Sequence, residues 1–321
     1  MSAGVPNLGV PNLTAPDVAH AAALIRAGKL VAFPTETVYG LGANALDPAA
    51  VERIFAAKGR PKTSPLIVHV DSIEMARSLA AEWPAAAETL ARRYWPGPLT
   101  LVLPKRAEVP DIVTAGLPTV GLRMPAHPLA LELIRAAGVP IAAPSANRFT
   151  ELSPTAASHV PEALADYVLD GGPAQVGIES TVLSLVDQPV GQPAGQPTLL
   201  RPGVIPLPEM EALIGPIRIA GAPADGAHDS PGMHERHYRP RTPLVLLRDG
   251  EALPAGRGIK AQMPADAREY AAVLYETLHR LDAEGFDWIG IDEPHGGPEW
   301  AGVLDRLRRA AGSSVTQVDG K

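Results

Sequence analysis

The sequence predicts an α/β protein: a mixed, twisted sheet carrying helices, followed by a smaller C-terminal α/β domain of Rossmann-like outline. Three observations point there. Short apolar runs alternate with longer stretches of helical spacing, as layered α/β domains require. Some apolar runs follow one another with no helix between them, which implies antiparallel neighbours and so a mixed sheet. After a Gly/Ala/Pro-rich stretch over 219–230, the strand–helix alternation restarts at Thr242.

Taken in order, the chain opens with a doubled GVPNL over 4–13, too few copies for a solenoid and read as a flexible leader. A helix is expected from Pro16-Asp17 to Ala27 with Gly28 as its cap, then a buried strand over 30–33 and a turn, PTETVYGLG. Asp47-Pro48 reads as the N-cap and first residue of a helix ending at Lys58, with Gly59 just beyond. A strand follows over 65–70, a helix over 85–94, strands over 99–103 and 119–123, a helix over 128–137 and a strand over 139–143. Strands over 167–169, 180–186 and 198–200 complete the region, with a long hairpin loop at 188–196. A helical piece after Arg201-Pro202-Gly203 leads into the linker. The second domain is expected as strand 244–247, helix 266–283, strand 288–291 and helix 300–311, without a G-x-G-x-x-G loop.

Bulk properties bound the function. The 321 residues suffice for two domains, and 30 glycines and 35 prolines predict many stiff turns. A net charge of −7 argues against a surface that attracts nucleic acid at long range, though it allows a local basic pocket. With no cysteine, thiolate catalysis, disulfides and cysteine-based zinc are excluded. The N-terminal residues lack the basic and apolar regions of a secretory signal, and no apolar run reaches the ~18 residues of a membrane span. A cytoplasmic protein with no membrane partner is the default expectation.

The chemistry-bearing residues concentrate in a few places. Lys58 and Arg60 sit two apart where a helix ends, a pairing suited to phosphates: Arg offers a planar fork and Lys a compact charge. Lys58 is equally explained as a cation at a helix C-terminus. Ser145 and Asn147 follow an apolar strand, where ligands of open α/β sheets collect, or they form a self-satisfied turn. Ser153-Pro154-Thr155 reads as a helix start. Thr35, Thr37 and Tyr39 share a turn after a buried strand and could hold a small polar substrate. His69 stands inside an apolar strand, as a core histidine or a ligand. Arg123 closes a strand and could pair with a carboxylate. Glu179-Ser180-Thr181 opens a strand and suggests only turn chemistry. Beyond the linker's SPGM, His234, His237 and Tyr238 are too polar and aromatic for an inert spacer. The spacing of the two histidines lacks the i,i+4 of a zincin helix, so no metal site built from protein side chains is expected. Walker A, G-x-S-x-G and kinase motifs are absent.

In this order, PTETVYGLG, KGRP…PLIVH, WPGPLT, GLRMP, PSAN…SPT, ESTV, LRPG and SPGM…HY closely resemble the threonylcarbamoyl-AMP synthases of the longer, two-domain type, over about residues 15–311. The resemblance implies a YrdC-like catalytic domain over 15–210, a linker or lid over 211–241 and a small Rossmann-like domain over 242–321. It implies synthesis of L-threonylcarbamoyl-AMP from L-threonine, bicarbonate or CO2, and ATP with Mg2+, releasing pyrophosphate. The product would pass to the threonylcarbamoyltransferase machinery that modifies adenosine 37 of tRNA, and a weak contact with tRNA is allowed. By the same resemblance, Thr35, His69, Arg123, Ala143 and Ser180 hold threonine. Lys58, Arg60, Ser64, Thr119, Ser145, Asn147, Ser153, Arg201 and Tyr238 hold ATP, Lys58 and Arg60 being the catalytic cations. The alternative reading is a YrdC-like RNA-binding module that makes no adenylate; the acidic charge and few aromatics count against it.

Overall fold

The computed structural model describes residues 15–186, 196–221, 238–247 and 253–312. The doubled GVPNL, most of the loop at 188–196, the SPGM segment and His234 and His237 lie outside the described residues. In chain order the elements are α1 (Ala15–Arg26), β1 (Val31–Phe33), β2 (Gly40–Asn44), α2 (Pro48–Lys58), β3 (Ile67–His69), α3 (Ile73–Leu79) and α4 (Ala85–Tyr94). Then come β4 (Leu99–Pro104), α5 (Asp111–Thr114), β5 (Thr119–Arg123), α6 (Pro128–Ala137), β6 (Ile141–Ala142), β7 (Tyr167–Val168), β8 (Thr181–Ser184), β9 (Thr198–Arg201), α7 (Leu207–Ile214) and β10 (Arg218–Ile219). The C-terminal part holds β11 (Leu244–Leu247), β12 (Gly258–Lys260), α8 (Ala267–Ala283), β13 (Trp288–Asp292) and α9 (Ala301–Ala311).

Local chemistry sets the helix ends. Asp47 accepts hydrogen bonds from the Ala49 and Ala50 amides, Pro48 starts α2, and Gly59 at φ 63° closes it in the left-handed region. That turn delivers Arg60 off the helix axis. Pro128 and Gly138 bracket α6 in the same way.

Ten strands form one sheet in the order β10-β9-β8-β4-β5-β3-β6-β2-β1-β7. Parallel pairs such as β3/β5 and β4/β8 mingle with antiparallel ones such as β4/β5 and β3/β6, so the sheet is mixed. The turn expected at PTETVYGLG is cut short: Gly40 already starts β2, which pairs with β1 and β6. Strand alternation decides what faces where. Val68, Leu122, Leu101, Leu103 and Ala142 point into the main core with Val51, Ile54 and Leu90 of α2 and α4. On the opposite face, α1 and α6 cover one end through Ile25, Phe33, Ile134 and Ile141. The middle of that face is left to Ile67, His69, Arg123 and Ala143.

The C-terminal part is a three-stranded parallel sheet, β11-β13-β12, with α8 and α9 packed on it. Its core runs on into Val38, Leu152 and Ile178 of the first part. Two glycines allow this close seating. A Cβ on Gly177, at φ +78°, would lie 2.2 Å from the Ala271 carbonyl oxygen of α8, and one on Gly302 of α9 would lie 2.4 Å from the Gly203 carbonyl oxygen.

Candidate active site

A cavity opens on the uncovered middle of the sheet face. Its floor is Ile67 and His69 of β3, Arg123 of β5 and Ala143 just after β6. The sequence suggested ligand groups at strand carboxyl ends. The lining agrees: His69, Arg123 and Arg201 are the last residues of β3, β5 and β9, and Thr35 and Ser145 follow β1 and β6.

One wall is the loop after β1. Thr35 Oγ1 donates to the Val38 carbonyl at 2.6 Å and meets Thr37 Oγ1 at 2.9 Å. Glu36, which the sequence did not single out, points inward and pairs with Arg123 Nη2 at 2.7 Å; its other oxygen accepts from the Ala126 amide at 2.9 Å. Arg123 also donates to Thr37 Oγ1 through Nη2 and to the Gly97 carbonyl through Nε. These bonds fix the guanidinium on one side, and Nη1 makes no hydrogen bond to the described residues. His69 is buried against Phe33 with its Nδ1 unpartnered. Burial and the adjacent Arg123 charge lower its pKa to about 3, so the imidazole is neutral at physiological pH.

The other wall is cationic. Arg60 lines the cavity, held by Ser64 Oγ at 2.5 Å and the Pro65 carbonyl at 3.1 Å, with its buried Nε unpartnered. Burial lowers its pKa to about 10; the neighbouring Tyr238 acts upward and Arg201 downward. Arg201, from the end of β9, grips the Ser180 carbonyl through Nε and Nη2 at 3.1 and 3.0 Å, and Ser180 Oγ meets Thr100 Oγ1 at 2.8 Å. Ser145, Glu179 and Tyr238 complete this side.

Thr35, His69, Arg123, Ala143, Ser180, Arg60, Ser145, Arg201 and Tyr238 therefore share one cavity. Five sequence candidates stand elsewhere. Lys58 does not line the cavity: its buried ammonium donates to the Ser145 carbonyl at 2.5 Å and to the Asn147 carbonyl, because α2 ends directly beneath that loop. Burial and the charge of Arg60 push its pKa well below the usual lysine value. Asn147 turns its amide inward, to the Arg148 and Glu151 carbonyls at 2.8 and 2.9 Å, bracing the loop. Ser64 and Ser153 sit one bond behind the wall, on Arg60 and Glu179 respectively. Thr119 lies at the far end of β5, in a separate small hollow with Thr100, Thr114 and Val182. Ser153 starts no helix; the next helical turn is the short 3-10 segment Ala157–His159.

Glu179 proves to be more than a turn residue. Its carboxylate accepts from Ser153 Oγ at 2.5 Å, Arg306 Nε at 2.7 Å and Tyr275 Oη at 3.2 Å. Neither Arg306 nor Tyr275 carries a local sequence signal, since both read as ordinary residues of amphipathic helices.

Residues 23–203 match the Sua5/YciO/YrdC family model, described as "Telomere recombination", and residues 205–312 match the model "Threonylcarbamoyl-AMP synthase, C-terminal domain". The threonylcarbamoyl-AMP synthase of Pyrococcus abyssi is 46% identical, over 93% of this chain and 95% of its own. The Bacillus subtilis enzyme of that name is 42% identical, over 94% of each. The crystal structure of P. abyssi Sua5 complexed with L-threonine superposes with a TM-score of 0.83 at 43% identity, covering 92% of this chain and 94% of that one. The chain belongs to the threonylcarbamoyl-AMP synthase family.

Proposed function

We propose that the cavity makes L-threonylcarbamoyl-AMP from L-threonine, CO2 or bicarbonate, and ATP, releasing pyrophosphate for a product that serves tRNA modification at adenosine 37. The observation that carries the reading is the division of one cavity into an amino-acid cradle and a cationic wall. Arg123, pinned by Glu36, would present its Nη1 edge to the threonine carboxylate, and Thr35 and Ser180 would receive the hydroxyl and amine. The threonine seen in the P. abyssi relative supports this half.

The amine must be uncharged to capture CO2. A neutral His69 beside the Arg123 cation disfavours an ammonium there, which lowers the amine's pKa in place. The nitrogen lone pair adds to CO2, one N–H proton passes to solvent, and a carbamate oxygen attacks the α-phosphorus while the bond to pyrophosphate breaks. Arg60 and Arg201 face the charge that develops on the phosphates, and fixed cations of this kind are worth several kcal/mol when already oriented. Lys58 contributes from behind, by fixing the Ser145–Asn147 loop. The one carboxylate in the lining, Glu179, is already taken by Ser153, Tyr275 and Arg306, and the other charged donors are guanidinium, so Mg2+ would arrive on the triphosphate as part of the substrate.

Mass spectrometry after incubation with ATP, threonine and bicarbonate tests the reading. A species with the mass of threonylcarbamoyl-adenylate supports it. Salt-sensitive tRNA binding with no adenylate would replace it with the RNA-binding alternative. No helix among the described residues is long and apolar enough to cross a membrane; a cytoplasmic location remains part of the proposal.

A further inference from the structure

A carboxylate is a poor neighbour for a polyphosphate, yet Glu179 lines the cationic wall beside Arg201 and Tyr238. Left alone it would repel the ligand and draw Arg201 toward itself. The structure compensates it from behind, out of the other domain. Arg306 of α9 is fully buried, and its Nε meets Glu179 Oε2 at 2.7 Å while Nη2 donates to the Glu179 carbonyl at 3.2 Å. Its Nη1 is fixed by Asp305 at 2.8 Å and by the Pro202 carbonyl at 2.9 Å, and the guanidinium carbon lies 5.3 Å from the centre of the Tyr238 ring. Tyr275 of α8 adds a hydrogen bond to the same carboxylate. The two glycine contacts bracket this point in sequence, Gly177 under α8 and Gly203 under α9. Packing that tight leaves Arg306 little freedom to follow any other partner.

We infer that Arg306 is a positioning residue for the nucleotide: it cancels the Glu179 charge from outside the cavity and holds Glu179 and Tyr238 in place, so the C-terminal domain completes the phosphate side of the site. The inference rests on the ATP reading of the cavity proposed above. It assigns Arg306 no contact with substrate. The threonine cradle rests on Glu36, Arg123 and Thr35; its one link to Arg306 is Ser180, the residue after Glu179, which Thr100 and Arg201 also hold.

The test is a double-mutant cycle on the full chain with Arg306→Met, Glu179→Gln and the pair, reading the KM of each substrate by pyrophosphate release and ATP affinity by calorimetry. Arg306→Met should raise the ATP KM and Kd about tenfold or more and leave the threonine KM within about twofold. In the Glu179→Gln background, where the carboxylate charge facing the cavity is gone, the same substitution should change the ATP values by less than about threefold. If Arg306→Met alone does not fold, Glu179→Gln and Glu179→Gln/Arg306→Met still compare directly, and a difference above threefold overturns the inference. It is also overturned by an unchanged ATP affinity in Arg306→Met, by equal rises for both substrates, or by additive effects. Calorimetry needs no turnover, which separates the two failures. A wild-type chain that binds ATP but forms no adenylate sinks the proposed reaction and leaves the role of Arg306 to be judged on affinity.

Discussion

Removing Arg123 should do two separable kinds of damage. Its pair with Glu36 is 2.7 Å long, and the side chains are 4% and 7% exposed. Arg123→Leu leaves a buried carboxylate with only the Ala126 amide for company, and breaking a buried pair from one side costs about 3–5 kcal/mol. In a domain of this size that lowers Tm by roughly 10 °C. The double variant Arg123→Leu/Glu36→Gln removes the orphan charge, and Gln still accepts from the Ala126 amide, so most of the loss should return. Threonine binding should be absent from both, since both lack the Nη1 edge. Differential scanning calorimetry reads the first effect and isothermal titration with threonine the second. The reasoning is refuted by a single variant that melts within about 2 °C of wild type, by a double variant no more stable than the single, or by threonine affinity surviving in either.

Arg60→Ala should lower adenylate formation by about tenfold or more through lost phosphate stabilisation, and Lys58→Ala by a similar factor through the displaced 145–147 loop; pyrophosphate release measures both, and wild-type rates in the two variants would refute these roles. His69 is held neutral, with a folded pKa of about 3 against an ordinary 6.5, so the unfolded chain binds the extra proton. Stability should therefore rise with pH between about 3 and 6.5 and gain nothing further from this group above that, by up to ~1.4 kcal/mol per pH unit. Urea midpoints across that range should show a shallower acid loss for His69→Asn than for wild type, and parallel curves would contradict the assignment. Gly302→Leu should push α9 off the Gly203 carbonyl, only 2.4 Å from the added Cβ; the expected result is a protein that limited proteolysis cuts between the two parts faster than wild type, with weaker ATP binding.

Much of the architecture could be read before any coordinates. Helices α2 and α6 announce both ends through a Pro at the start and a Gly beyond the end, and β5 through an apolar run closed by Arg123. Strand β2 was hidden because Gly40–Asn44 is glycine-rich and fully explained as a turn until β1 and β6 flank it. Two-residue and three-residue strands such as β10 and β12 carry too little alternation to register. At the site, residues that touch the cavity came through the ordered motifs. Among the groups behind them, Glu36 and Arg306 did not. Glu36 reaches Arg123 across 87 residues and Arg306 reaches Glu179 across 127, so no local pattern links the partners. Lys58 shows the converse: a phosphate-like signal in sequence whose ammonium the fold spends on two carbonyls.

Three guanidinium groups, those of residues 60, 123 and 201, converge on one hollow in a molecule whose formal charge is −7. Such a hollow welcomes any small oxyanion that diffuses in. Sulfate or phosphate carried over from purification would occupy it and have to be expelled before substrate enters, so dissociation constants taken in those buffers will run high. Exchange into a chloride buffer should tighten them in proportion to the competitor removed.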